Sequence, residues 1–113
     1  MSEIYKNLNV AITVCDENAN IIEMNEKAQR TFSAQGGSAL IGKSLYDCHK
    51  QTSNEKIKEL LQSGKENAYT IEKNGVKKLI YQGPWKKEDG SIGGLVEFSL
   101  EIPFDMPHFV RKP

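Results

Sequence analysis

The sequence has no surplus of either charge. Fifteen Lys and Arg balance fifteen Asp and Glu over 113 residues. There is no basic excess to attract nucleic acid or anionic lipid, and no like-charge block to act as an interaction tail. Long hydrophobic runs are also missing: no apolar stretch approaches ~18 residues, and no charged-then-apolar leader follows Met1. The expectation is a soluble, cytoplasmic chain with neither a membrane nor a nucleic acid as partner. Cysteine is scarce, and Cys15 and Cys48 form no C-x-x-C pair, which points to free thiols in a reducing compartment. No His and Cys spacing matches a zinc site, and there is no carboxylate pair, triad or phosphate loop, so an enzyme is disfavoured. Repeats and the composition of a disordered segment are absent too, leaving one domain with a modest core.

What is present is a β-rich last third. Residues 67–73, 76–85 and 91–102 read as three strands, joined by Asn74-Gly75 and by the turn Lys87-Glu88-Asp89-Gly90. Asn-Gly between alternating runs is a strong hairpin signal, because both central residues of a type I′ turn need φ > 0. In the last strand Val96, Phe98, Leu100 and Ile102 alternate with Leu95, Glu97, Ser99 and Glu101. The first set, being the more apolar, is expected to face the core.

The N-terminal part supplies the rest of the fold. Residues 1–7 are a polar lead-in or a short helical turn. Residues 8–16 alternate as a strand, the turn formers at 16–20 follow, and 21–24 form a second strand. Asn25 is an N-cap candidate for a short helix ending at Phe32. Residues 33–38 read as a loop, and 39–49 as irregular with one helical turn. Thr52 with Glu55 fits a capping box; Ile57, Leu60 and Leu61 then make one apolar helical face over 53–63, and Gly64 ends it. The tail 103–113, with Pro103, Pro107 and Pro113, cannot continue a strand or helix for long. Met106, Pro107, His108 and Phe109 within it are candidates to latch onto the domain or a partner. Two strands, short helices, then three strands make an α+β fold: a five-stranded antiparallel sheet with short helices packed on one face.

Candidate ligand-contacting residues follow from that picture. Tyr69, Tyr81, Trp85 and Phe98 are the aromatic stock of the last three strands. On 76–85 the more apolar face is Leu79, Tyr81, Gly83 and Trp85. Facing the helices, these rings would wall a hollow, with phenol and indole groups as polar handles; plain core packing is the alternative. Gly83-Pro84 suggests a bulge or an edge position. Tyr46 and His49 lie on the helical side, and a neutral imidazole is a competent haem ligand; a polar cap or a solvent-facing residue is the alternative for His49. Cys48 beside His49 lacks an orienting third group for nucleophilic chemistry. Asn25 and Asp89 read as structural, cap and turn respectively.

Taken together, these residues resemble the PAS sensor family over roughly 8–102. Asp16, Asn20, Asn25 and Ala28 are similar to the family's opening strand-turn-strand and helix start, with Asn20 where Gly is frequent and αL tolerance expected. Ile41-Gly42-Lys43-Ser44-Leu45 resembles its segment after the helices. Asp89-Gly90-Ser91-Ile92-Gly93-Gly94 resembles the turn before its last strand. The resemblance implies a PAS-like domain at 8–102, between the 1–7 lead-in and the 103–113 tail. It implies a non-catalytic sensory module that binds a small molecule or cofactor between helices and sheet and signals by altered self- or partner packing. It also implies that a haem held by His49 is possible. A flavin photoadduct is disfavoured, because the cysteine of the light-sensing members is missing from its place. Glu101-Ile102-Pro103 ends the last strand where relatives often run into a coiled coil. That departure suggests a stand-alone or isolated PAS domain rather than the in-line input of a kinase. The alternative is an interaction domain without ligand, forming a homodimer or docking a signalling protein through an outer sheet face that exposes Leu95 and Ile80.

Overall fold

The computed structural model describes residues 1–47 and 51–113. The elements are α1 (Glu3–Lys6), β1 (Ala11–Asp16), β2 (Ile21–Met24), α2 (Glu26–Thr31), α3 (Gln51–Ser63), β3 (Asn67–Lys73), β4 (Val76–Lys86) and β5 (Ile92–Ile102). Short 3-10 turns at Ser33–Gln35, Gly37–Leu40 and Leu45–Asp47 fill the stretch read as loop and irregular chain. The strands form one five-stranded sheet in the order β2-β1-β5-β4-β3, every pairing antiparallel. The helices cover one face of it, as expected.

Local chemistry sets most boundaries. Asn74 and Gly75 both take positive φ, 54° and 77°, so the β3–β4 hairpin closes through the turn the Asn-Gly pair favours. Asn25 caps α2, its side-chain oxygen accepting from the Ala28 N–H at 3.0 Å. Gly64, at φ 70°, ends α3 with its N–H on the Leu60 carbonyl at 3.0 Å. Thr52 is a correction: α3 starts at Gln51, so Thr52 sits inside the first turn and not at the cap. Asn20 is another, because the left-handed residue of the β1–β2 turn is Ala19, at φ 64°. The turn is held instead by Asp16, whose Oδ1 accepts from the N–H groups of Asn18 and Asn20, each at 2.9 Å.

The segment between the second and third 3-10 turns zips onto the free edge of β2. The Ile21 N–H donates to the Lys43 carbonyl, and the Gly42 N–H returns a bond to the Ile21 carbonyl at 2.7 Å. Two apolar clusters follow along the sheet. One joins Ala11, Ile21, Met24, Ala28 and Leu40; the other joins Cys15, Ala19, Ile57, Leu60 and Leu95. Ile57 and Leu60, at 3% and 1% exposure, confirm the apolar stripe of α3.

The facing of the sheet reverses the expectation. Leu95 and Ser99 of β5 are buried under the helices, whereas Phe98 is 38% exposed on the opposite face. Register carries this across the sheet. Leu95 lies opposite Cys15, and Ser99 opposite both Ala11 and Ile80. Phe98 lies opposite Ile12 and Tyr81, and Leu100 opposite Leu79. In β1, β4 and β5 alike, the more apolar set of alternate residues is on the outer face. Leu95 and Ile80, expected outside, are core residues at 5% and 7% exposure. Beside them the covered face carries small and polar residues, Ala11, Thr13, Cys15, Gln82, Glu97 and Ser99.

Candidate functional site

Between the helices and the inner sheet face lies a cavity of about 150 Å³. Its walls are mostly apolar: Ile21 and Met24 of β2, Phe32 at the end of α2, Leu40 and Leu45 from the 3-10 turns, Ile57 of α3 and Leu95 of β5. Cavities of this size in apolar cores hold a single small ring. It borders a larger and more polar cleft of about 500 Å³, with Phe32, Gln35, Ile57, Gln82 and Glu97 shared between the two. Lys56, Lys73 and Lys78 line the outer cleft but not the cavity.

The floor is polar in one row only. Thr13 lies opposite Glu97, Glu97 opposite Gln82, and Gln82 opposite Asn67, so the row crosses β1, β5, β4 and β3 in register. Directly opposed residues on one face are near enough to bond. Asn67 Nδ2 donates to Gln82 Oε1 at 3.0 Å, and Gln82 Nε2 donates to Glu97 Oε2 at 2.9 Å. Each amide fixes the orientation of the next, so the carboxylate is held at the border of cavity and cleft.

That carboxylate is felt nearby. Burial pushes the Cys15 thiol up, helped by the charges of Asp16 and Glu97 and opposed by the Leu95 N–H. Burial likewise raises the Tyr69 phenol, with Glu97 adding to it. Cys15 is 1% exposed and lines the cavity wall. A thiol whose charged form is disfavoured is a poor nucleophile.

The aromatic candidates are spread around this cavity. Tyr69 lines the outer cleft. Tyr46 packs beside the second apolar cluster, with the Lys58 ammonium 5.3 Å from its ring centre, and burial raises its phenol. Tyr81 and Phe98 stack on the outer face, ring centres 5.8 Å apart. Burial, then the Glu66 carboxylate that accepts its O–H at 2.9 Å, raises the Tyr81 phenol. Trp85 lies over Gly93, where a Cβ would meet its ring, and its indole N–H binds the Cys15 carbonyl. None of these aromatic residues lines the cavity, whose one ring among the described residues is Phe32. Gly83-Pro84 runs beyond the end of the β3 pairing, an edge position, and the bulge falls just after it at Trp85 and Lys86. His49 and Cys48 lie outside the described residues.

Sequence reasoning passed over Thr13, Gln82 and Glu97. As alternate polar residues in strands they read as solvent-facing. Their signal was the smallness of their same-face neighbours Ala11, Cys15 and Ser99, which marks the crowded side of a sheet. Asp89 is a turn residue as expected: its Oδ1 accepts from the Ser91 hydroxyl and N–H, and the hydroxyl bond is the main cause that lowers its carboxyl. The tail residues Phe104, Met106, Phe109 and Val110 are all exposed, so of the two expectations for 106–109 exposure favours a partner over the domain itself. Among the described residues no group of three or more His, Cys, Asp or Glu could hold a metal ion, and no helix is long and apolar enough to cross a membrane.

Comparison with known proteins agrees with this architecture. A C-terminal domain from Streptococcus mutans superposes with TM-score 0.71 at 18% identity, covering 87% of this chain and 79% of its own. The VqmA dimer of Vibrio cholerae, described among LuxR-type receptors, gives 0.72 at 13% identity, covering 89% of this chain. The chain spans 51% of that protein's length. The Aer2 receptor of Vibrio cholerae, a dual PAS-haem oxygen sensor, gives 0.64 at 12%, covering 83% of this chain and 95% of its own. At these identities the likeness establishes the fold. No curated protein matches the sequence. PAS domains among its neighbours are sensory parts of receptors and histidine kinases. The PAS domain family model matches residues 1–103, and the chain belongs to that family.

Proposed function

We propose that this PAS domain is a non-catalytic, cytoplasmic sensory module that binds a small molecule in the cavity between helices and sheet. The observation that carries the reading is the cavity itself: apolar walls over a single hydrogen-bonded polar row. A few convergent polar groups in an apolar hollow are the usual form of a small-molecule site. Its volume, below the roughly 300–1,000 Å³ of drug-sized sites, favours a ligand of about one ring. The signal is altered packing on itself or a partner. Phe32 at the end of α2 and Ile57 of α3 both border the cavity, so a ligand touches the elements whose placement it would bias. Native mass spectrometry of freshly purified protein tests this: a bound small molecule, lost on denaturation, is expected. Protein with no such mass, and no melting-temperature shift with one-ring compounds, overturns it. The haem reading rests on His49 alone; a Soret band that disappears in His49→Ala is its test.

A second reading has its own observation, the apolar outer face. Val14, Leu79, Tyr81, Phe98 and Leu100 share it, with the Tyr81–Phe98 stack among them. Such a face suits an isologous contact with a second copy of the chain. Sedimentation at high concentration is expected to show a dimer, and a monomer throughout overturns it.

A further inference from the structure

Among the described side chains that line the cavity, Glu97 is the only charged one. Its Oε2 accepts from Gln82, and among the described residues the carboxylate has no further hydrogen bond or ion pair. Among the described residues no Lys, Arg or His lines the same space. The Gln82 amide cannot turn to relieve this, because Asn67 Nδ2 holds its oxygen. Besides Gln82, the described groups that share the cavity with this free carboxylate capacity are the Cys15 thiol, the Thr13 hydroxyl, the Gln35 amide and apolar walls. A half-buried acceptor with unused lone pairs favours a donor and penalises another anion, the more so where water is scarce.

Building on the ligand-binding reading above, we infer that the cavity selects a single-ring ligand that presents N–H donors, neutral or cationic, to Glu97, and rejects carboxylates. A flat ring with two adjacent N–H groups matches a carboxylate edge and fits the volume of about 150 Å³. The lysines of the outer cleft do not reverse this preference, because they line the space beyond the Phe32–Ile57 border. They do mean that an anion bound outside must be told apart from one bound within.

Competition against toluene makes that distinction, since toluene matches the ring size and carries no hydrogen-bonding group. Toluene binding, followed by ligand-observed NMR on the full chain, is expected first. Near pH 6.5, where 2-aminopyridine is largely protonated, that probe should displace toluene at least tenfold more effectively than furan-2-carboxylate. In Glu97→Gln the ratio should fall tenfold or more, and Glu97→Asp, which keeps the charge, should retain the order of preference. Thermal melts of both variants establish that they fold. Equal displacement by 2-aminopyridine and furan-2-carboxylate, or a ratio unchanged in Glu97→Gln, overturns the donor preference while toluene binding still upholds the cavity as a ligand site. If neither toluene nor 2-aminopyridine binds at millimolar concentration, both the preference and the ligand-binding reading fall.

Discussion

The Trp85 indole N–H donates to the Cys15 carbonyl at 2.9 Å, across a sequence separation of 70 residues. It links β4 to β1 over the top of β5, at the bulge where Gly93 lies beneath the ring. Next to it, a Cβ on Gly94 would sit 1.9 Å from the Cys15 carbonyl oxygen. The sheet closes here because two consecutive residues of β5 have no side chain.

Gly94→Ala is therefore expected to cost about 3 kcal/mol or more, because backbone rather than a flexible side chain must move. Gly93→Ala should displace the Trp85 ring, and Trp85→Phe should lose about 1 kcal/mol for the missing bond. Chemical denaturation measures all three. Tryptophan emission of Gly93→Ala should shift to the red in the folded state; an unshifted spectrum would refute the contact.

Asn25 is fully buried and makes four hydrogen bonds. Its oxygen accepts from the Ile12 and Ala28 N–H groups, and its nitrogen donates to the Tyr5 and Val10 carbonyls. Asn25→Asp turns the donor end into an acceptor facing two carbonyls, which leaves buried groups unpaired. A loss of about 3 kcal/mol is expected, seen as a melting point lower by roughly 10 °C. A loss under about 1 kcal/mol would mean the network is not formed.

Cys15 gives a pH dependence with a defined sign. Its thiol pKa is raised in the folded state, chiefly by burial. Above the ordinary thiol value of roughly 8.5 the unfolded chain releases a proton that the folded chain keeps, so the native state holds more protons. Stability is full below that pH and falls as pH rises through the window up to the raised value. Cys15→Ala should lack this fall. In a Cys48→Ser background, iodoacetamide at pH 8 should alkylate Cys15 far more slowly in the folded than in the denatured protein.

Phe98, 38% exposed and stacked on Tyr81, is placed to test the outer face. Phe98→Lys should keep the melting temperature within a few degrees, as surface changes typically cost within about 0.5 kcal/mol. If the second copy binds there, sedimentation should show the dimer lost. A dimer of unchanged strength would exclude this face.

Local chemistry was legible in the sequence. Asn74-Gly75, Asn25, Gly64 and the stripe of Ile57 and Leu60 each specify a backbone geometry or a helical face through neighbours a few residues away. The polar row was not, because Thr13, Gln82 and Glu97 are far apart in the chain and each alone looks solvent-facing. The same limit applied to Phe98, Tyr81 and Trp85, whose apolar character pointed them inward.

The sequence by itself determined the period of each strand, since alternation follows from backbone pleating alone. Which of the two faces lies under the helices was decided only in the tertiary structure. Ala11 falls in one cluster with Ala28 of α2, and Cys15 in another with Ile57 and Leu60 of α3, and close approach of helix to sheet demands small side chains before apolar ones. The large apolar residues were left to the other face, and Gln82 and Glu97 were brought beneath the helices, where a bound molecule can meet them.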